Sequence, residues 1–174
     1  MIDSSNPSDF DMAVRDSPAV PVPTTAKIYS DRLRNNLAYM RHLAGDARVM
    51  AVVKADAYGH GIENIVPVRR AEGMDRFEVD TPAEGAGLRQ LGDSGENLVM
   101  GSVLSEAIPA CCAHNLSLAV SSIDDVAPIC DAVDQDGLVS VHVNVDSGMG
   151  RLGVSPQEAP ALVARLAGRP EIRV

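Results

Sequence analysis

The sequence predicts an α/β domain of parallel strands joined by helices. Short apolar runs alternate strictly with longer stretches whose apolar residues recur at helical spacing. The strongest run, Val49 to Val53, is apolar throughout, as in strands covered on both faces of a parallel sheet. The third observation is length. A chain of 174 residues suffices for one core, since domains span ~50–250 residues. It is short of the ~250 residues of a complete (β/α)8 barrel. Pattern alone leaves two arrangements open, an open doubly wound sheet and a barrel.

The elements follow in order. Residues 26–29 read as a short strand. Ser30 or Asp31 can cap a helix to about Leu43, with Leu33, Leu37, Met40 and Leu43 at helical spacing, and Gly45 stops it. Residues 48–54 form the first buried strand, and a helix follows Gly61. Residues 76–80 are the second strand. Pro82 suits the first turn of the next helix, which runs to Gly92. Residues 97–101 are a strand, 105–113 a helix and 116–120 a strand. Ser122 caps a helix to about Val133. Residues 138–146 are the fifth strand, 156–166 a helix, and Ile172 begins a sixth strand. Residues 1–25 hold four prolines and several acids, without an apolar or basic leader. They read as a flexible extension and not as a secretory signal. Residues 26–174 are then the folded domain.

Composition narrows the function classes. The hydrophobic fraction is 45% and aromatics are 3%, so the core rests on aliphatic side chains. A net charge of −9 argues against nucleic acid or an anionic membrane surface as partner. No stretch approaches the ~20 apolar residues of a membrane span, and a soluble cytoplasmic protein is expected. Cys111, Cys112 and Cys130 lack zinc-like spacing and read as reduced packing residues. The four histidines form no metal motif, and no metal site is expected.

Chemistry concentrates in residues 51–61, Ala-Val-Val-Lys-Ala-Asp-Ala-Tyr-Gly-His-Gly. Lysine is rarely buried without a partner, so Lys54 at the end of a buried strand is a functional candidate. Its amine can form a Schiff base with an aldehyde cofactor. Tyr58 follows four positions later, and Gly59 and Gly61 allow turns beside a ligand. His60 reads as a solvated or capping histidine. A second segment, residues 145–153, Val-Asp-Ser-Gly-Met-Gly-Arg-Leu-Gly, places Arg151 in a glycine-rich loop where Gly148 and Gly150 give it room near a ligand.

Together these segments resemble the lysine motif and the arginine loop of the alanine racemases, in that family's order and at about its spacing. The lysine motif differs mainly in having Asp56 where the family usually has Asn. The resemblance runs from about residue 26 to 174 and covers only the first half of the family's length. It implies an incomplete (β/α)8 TIM-type barrel of about five strands plus the start of a sixth, with the C-terminal β domain absent. Lys54 and Arg151 then lie at or just beyond the carboxyl ends of strands, where barrel active sites occur. It implies pyridoxal 5'-phosphate as cofactor, held by Lys54, with Tyr58 on its phosphate and Arg151 near its phenolic oxygen and the substrate carboxylate. It implies interconversion of L- and D-alanine, supplying D-alanine for peptidoglycan, in a homodimer.

Three departures from the family pattern bear on this. Asn144 stands where the family often has a carbamylated lysine, and could orient Arg151 directly or share an anion such as chloride. Glu78 and Asp80 replace small residues on what the strand period makes one face. If that face is a packed barrel interior, two carboxylates enter it, at a cost of several kcal/mol each when unpaired. The truncated chain is expected to be inactive alone. The alternatives are a non-catalytic remnant of the barrel, or another fold-type III pyridoxal-phosphate enzyme such as a decarboxylase or D-threonine aldolase. The arginine loop argues against the latter.

Overall fold

The structure, a computed structural model, describes residues 26–133 and 137–174. The expected flexible extension, 1–25, lies outside the described residues. Six parallel strands make one sheet: β1 (Ala51–Val52), β2 (Arg76–Val79), β3 (Glu96–Val99), β4 (Ser117–Val120), β5 (Val139–Val143) and β6 (Ile172–Arg173). Their order in the sheet is their order in the chain. A doubly wound sheet reverses strand order at a switch point; this one never does. It is an unclosed barrel wall, with β1 and β6 as its edges.

Helices join the strands: α1 (Ser30–Ala44), α2 (Ile62–Ala71), α3 (Pro82–Gln90), α4 (Ile108–Ala113), α5 (Val126–Ala132) and α6 (Ala159–Ala167). Short 3-10 turns, Ser105–Ala107 and Ile123–Asp125, lead into α4 and α5. The predicted helices at 105–113 and 122–133 therefore each begin with a tighter turn. The helix predicted from Pro156 starts later, at Ala159.

The strand period explains the core. Phe77, Val79, Val99, Leu118, Val120, Val139 and Val141 all point toward the helices and are buried. Each burial of such a side chain contributes about 1.5–3 kcal/mol. The opposite face carries Val52, Glu78, Leu98, Ala119 and His142, none fully buried. Cys111 is buried in α4 and Cys130 half-buried in α5, both as free thiols. Burial pushes the Cys111 thiol up to about 11 and raises Cys130 as well. Neither is poised as a nucleophile.

Several expectations need correction. Residues 26–29 form no strand, because no neighbouring strand among the described residues offers a partner. Neither Ser30 nor Asp31 caps α1. The cap position is Tyr29, without a side-chain hydrogen bond. In the apolar stripe of α1, Leu37 is buried and Leu33 partly so, while Met40 and Leu43 are exposed. The first strand shrinks from 48–54 to two residues because it pairs on one side only. The fifth ends at Val143 rather than 146.

Candidate functional site

The carboxyl ends of β1 to β5 and the loop after β5 enclose one cavity of about 810 Å³. Lys54, Glu78, Asp80, Met100, Asn144 and Arg151 line it. This is the interior side of the unclosed wall, the side opposite the helices.

Lys54 follows the buried Val53, whose amide still donates to Glu78 O at 2.8 Å. The chain then turns the unusual way. Ala55, Asp56, Ala57 and Tyr58 all have φ between 51° and 56°, a left-handed turn within the helical segment Lys54–Gly59. Left-handed geometry costs non-glycine residues roughly 1–2 kcal/mol each, so the surroundings must hold it. Ala57 N donates to Val53 O at 2.9 Å and Gly61 N to Asp56 O at 3.0 Å. His60 Nδ1 lies 2.7 Å from Ala57 O, the capping role expected of it. Asp56 Oδ1 accepts from Ile62 N at 2.7 Å, at the start of α2. An aspartate here therefore caps the following helix and also sits in a left-handed position, which Asn and Asp tolerate best.

The register Ala51↔Phe77 and Val52↔Glu78 continues to put Lys54 beside Asp80. Their charged groups meet, Lys54 Nζ to Asp80 Oδ1, at 3.3 Å. Lys54 Nζ also lies 3.7 Å from Met100 Sδ. The lysine side chain is 27% exposed, Asp80 53%. Gly101 permits this packing, because a Cβ there would stand 2.3 Å from Asp80 O. The acidic pair of β2 thus departs from the expectation of a packed interior. Glu78 is half-buried along the cavity wall and Asp80 is exposed at its rim. The Glu78 carboxylate has no hydrogen-bond or ion-pair partner among the described residues. No charge is sealed in a dry core, so the expected penalty does not arise.

Arg151 reaches the same cavity from the loop after β5 and is exposed. Its guanidinium has no partner among the described residues. The loop is pinched at its neck by an isolated bridge, Val145↔Val154. Asp146 N donates to Val154 O at 2.8 Å and Val154 N to Asn144 O at 2.9 Å. Inside the neck, Asp146 Oδ1 accepts from Gly148 N at 2.9 Å and Gly150 N at 3.0 Å. These bonds hold the Asp146 carboxyl below its ordinary range. Gly153 has φ +120°, and a Cβ there would stand 2.8 Å from Asp146 N, so glycine is needed at the neck.

Asn144 Nδ2 donates to Ser121 Oγ at 3.4 Å. It does not orient Arg151 directly, which corrects that expectation. Deeper on the same face, Glu96 joins Arg76 at 3.0 Å and His142 at 3.3 Å. Burial raises the Glu96 carboxyl, but hydrogen bonds from Arg76 and His142 outweigh it and leave it below the ordinary range. Among the described residues no group of three metal-ligating side chains comes together, and no helix is long and apolar enough to cross a membrane.

Of the three site residues expected from sequence, Lys54 and Arg151 meet at one cavity. Tyr58 is 59% exposed and outside the cavity lining. Sequence reading missed Glu84. Its carboxylate takes Ala55 N at 2.6 Å, Asp80 N at 2.9 Å and Thr81 N at 3.0 Å. Its signal was present as Thr81-Pro82-Ala83-Glu84, a capping box at the start of α3. Reading missed Asp146 too, as the organiser of the arginine loop.

Residues 28–174 match the family described as alanine racemase, N-terminal domain. The chain is 37% identical over 150 residues to an alanine racemase of Corynebacterium glutamicum, covering 86% of this chain and 41% of that protein. It is 38% identical over 147 residues to one from Streptococcus mutans, covering 83% and 39%. A solved alanine racemase of Clostridium difficile 630, in complex with cycloserine, superposes with a TM-score of 0.82 at 32% identity, covering 90% of this chain and 44% of that one. The chain spans about two-fifths of the length of these curated relatives.

Proposed function

Because the chain belongs to the alanine racemase family through that family's N-terminal domain, we propose that its cavity is the barrel half of a pyridoxal-phosphate site for racemising alanine. One observation carries the reading. The amine of Lys54, just beyond β1, opens into the cavity that also receives the guanidinium of Arg151, which has no partner among the described residues. An amine facing polar space and a cation without a carboxylate partner fit an anionic, aldehyde-bearing group.

When bound, the cofactor supplies the electron sink that stabilises a carbanion at the substrate Cα. Lys54 would be the residue to hold it covalently, and its amine would move a proton on one face of Cα. Arg151 would donate a parallel pair of hydrogen bonds to a substrate carboxylate, or a single one to the cofactor's phenolic oxygen. Tyr58 would be the residue to hold the phosphate, its hydroxyl turning in from an exposed position outside the cavity lining. D-alanine supplied this way would serve peptidoglycan, in the cytoplasm, from a homodimer. The 174-residue polypeptide by itself turns over alanine negligibly, since its six strands leave the site open on one side.

The test is chemical attachment. The chain has two lysines, Lys27 and Lys54. After incubation with pyridoxal phosphate and borohydride, the label should sit on Lys54 and vanish in Lys54→Ala. Equal labelling of Lys27 would overturn the assignment. A second reading, a barrel that no longer reacts, is favoured by the ion pair from Asp80 to Lys54, which must break before the amine can attack a carbonyl. Asp80→Ala decides between them. Labelling that is absent in the parent and appears in the variant supports the second reading; strong labelling in both supports the first.

A further inference from the structure

The geometry points to Glu84 as a positioning residue for Lys54, beyond its place in the cap of α3. The inference rests on reading Lys54 as the cofactor lysine. A capping box asks one thing of its glutamate: an oxygen that accepts from the backbone at the cap. Glu84 Oε2 does this, taking both Asp80 N and Thr81 N. The other oxygen, Oε1, reaches a different segment and accepts from Ala55 N at 2.6 Å, 29 positions away in the chain.

Ala55 is the residue directly after Lys54 and the first of the four left-handed residues. The other bonds that hold this turn come from within residues 53–62. Glu84 fastens it from outside, to the segment that carries Asp80. A single carboxylate therefore fixes the backbone under Lys54 relative to the backbone of the side chain that Lys54 pairs with. Strained turns persist only where the surroundings over-determine them. Bonds from backbone N–H groups to a carboxylate are among the stronger ones available. Burial raises the Glu84 carboxyl, and its bonds to Ala55, Asp80 and Thr81 more than reverse this. Without the tether, the turn loses its outside anchor and the Lys54 amine loses its aim into the cavity.

Thr81→Ala provides the control. It removes the other half of the capping box, the Thr81 Oγ1 that accepts from Glu84 N, and leaves Ala55 bonded. The experiment compares the parent chain, Glu84→Ala and Thr81→Ala by two readouts. The first is amide exchange without any aldehyde. Glu84→Ala should lose protection at Ala55, whereas Thr81→Ala should keep it. The second is borohydride-trapped pyridoxal phosphate on Lys54, scaled to the folded fraction. Glu84→Ala should label about tenfold more slowly than Thr81→Ala, since a displacement of about 1 Å can cost ~10²-fold in a positioned reaction. Glu84→Gln, which keeps one acceptor oxygen, should fall between, and it carries the comparison if Glu84→Ala does not fold. Unchanged exchange at Ala55, or equal slowing in the Glu84 and Thr81 variants, would overturn the proposal. If the parent fails to label Lys54, the cofactor-lysine reading falls on its own, and the exchange comparison still decides whether Glu84 fixes the turn.

Discussion

The two ends of the strands are built to opposite specifications. At the amino ends of β3 and β4, Arg89 donates from all three of its nitrogens. Its guanidinium donates to His114 O at 2.9 Å, Asn115 O at 2.8 Å, Gly95 O at 2.9 Å and Asp93 Oδ2 at 3.0 Å. Asp93 in turn accepts from the buried Asn97 Nδ2 at 2.9 Å. At the carboxyl ends Arg151 faces a cavity with no partner among the described residues, and four residues carry left-handed strain. The same residue type is structural at one end and left available at the other. Barrels in general divide this way, with stability at the amino face and ligands at the carboxyl face. Here the division is visible in how many acceptors each arginine has.

Replacing the two arginines is the sharpest way to break the comparison. Arg89 and Asp93 are 15% and 3% exposed. Arg89→Ala takes the guanidinium away from a buried carboxylate and four main-chain carbonyls, and removing one partner of such a pair costs about 3–5 kcal/mol. Arg151→Ala should change stability by no more than about 0.5 kcal/mol, as exposed substitutions do. Urea unfolding measures both. Equal losses would show that the two ends are not distinct.

The second largest effect is expected at the neck of the arginine loop. Gly153→Ala forces a Cβ to within 2.8 Å of Asp146 N and 2.9 Å of Asn144 O, at φ +120°. The strain should amount to about 1–3 kcal/mol, relieved by opening the Val145↔Val154 bridge. Exchange at the Val154 amide should rise while that at Val141 does not. Gly148→Ala, with nothing within 4 Å of its Cβ, carries only its φ strain and should disturb the neck less. Uniform exchange across both amides would mean that the loop is not a separate unit of the carboxyl face.

These differences also mark what the sequence could convey. The order of strands was legible because apolar runs and glycine stops are local, and β2, β3 and β4 fall within one or two residues of their predicted bounds. Lys54 and Arg151 were legible because motifs survive as strings. The left-handed turn was not, since no propensity favours φ near +50° for alanine or tyrosine; it follows from bonds made after folding. The Lys54–Asp80 pair depends on strand register, which the string Phe77-Glu78-Val79-Asp80 does not state. The exposure of Met40 and Leu43 depends on what α1 packs against. Helical period marks a face without saying how much of it is covered.

The smallest effect separates the ends by acid. The Arg89 network at the amino end is tied mainly to carbonyls, which do not titrate. The carboxyl end is tied by Glu84 and Asp146, both held below their ordinary values in the folded chain. For Glu84 the backbone bonds exceed the opposing effect of burial; for Asp146 the bonds from Gly150 and Gly148 dominate. A carboxyl depressed on folding contributes stability that is fully present above its unfolded value, ~4. That contribution is lost as pH falls through the lower folded value. The stability gap between the parent and Glu84→Gln should therefore be widest near neutrality and narrow below about pH 4. Asp146→Asn should behave alike with a smaller gap, because Asp146 is exposed and its bonds are screened by solvent. Urea unfolding at stepped pH reads both gaps. A Glu84→Gln gap that stays constant from neutrality into acid would show that its carboxylate charge adds nothing to the hold on the turn beneath Lys54.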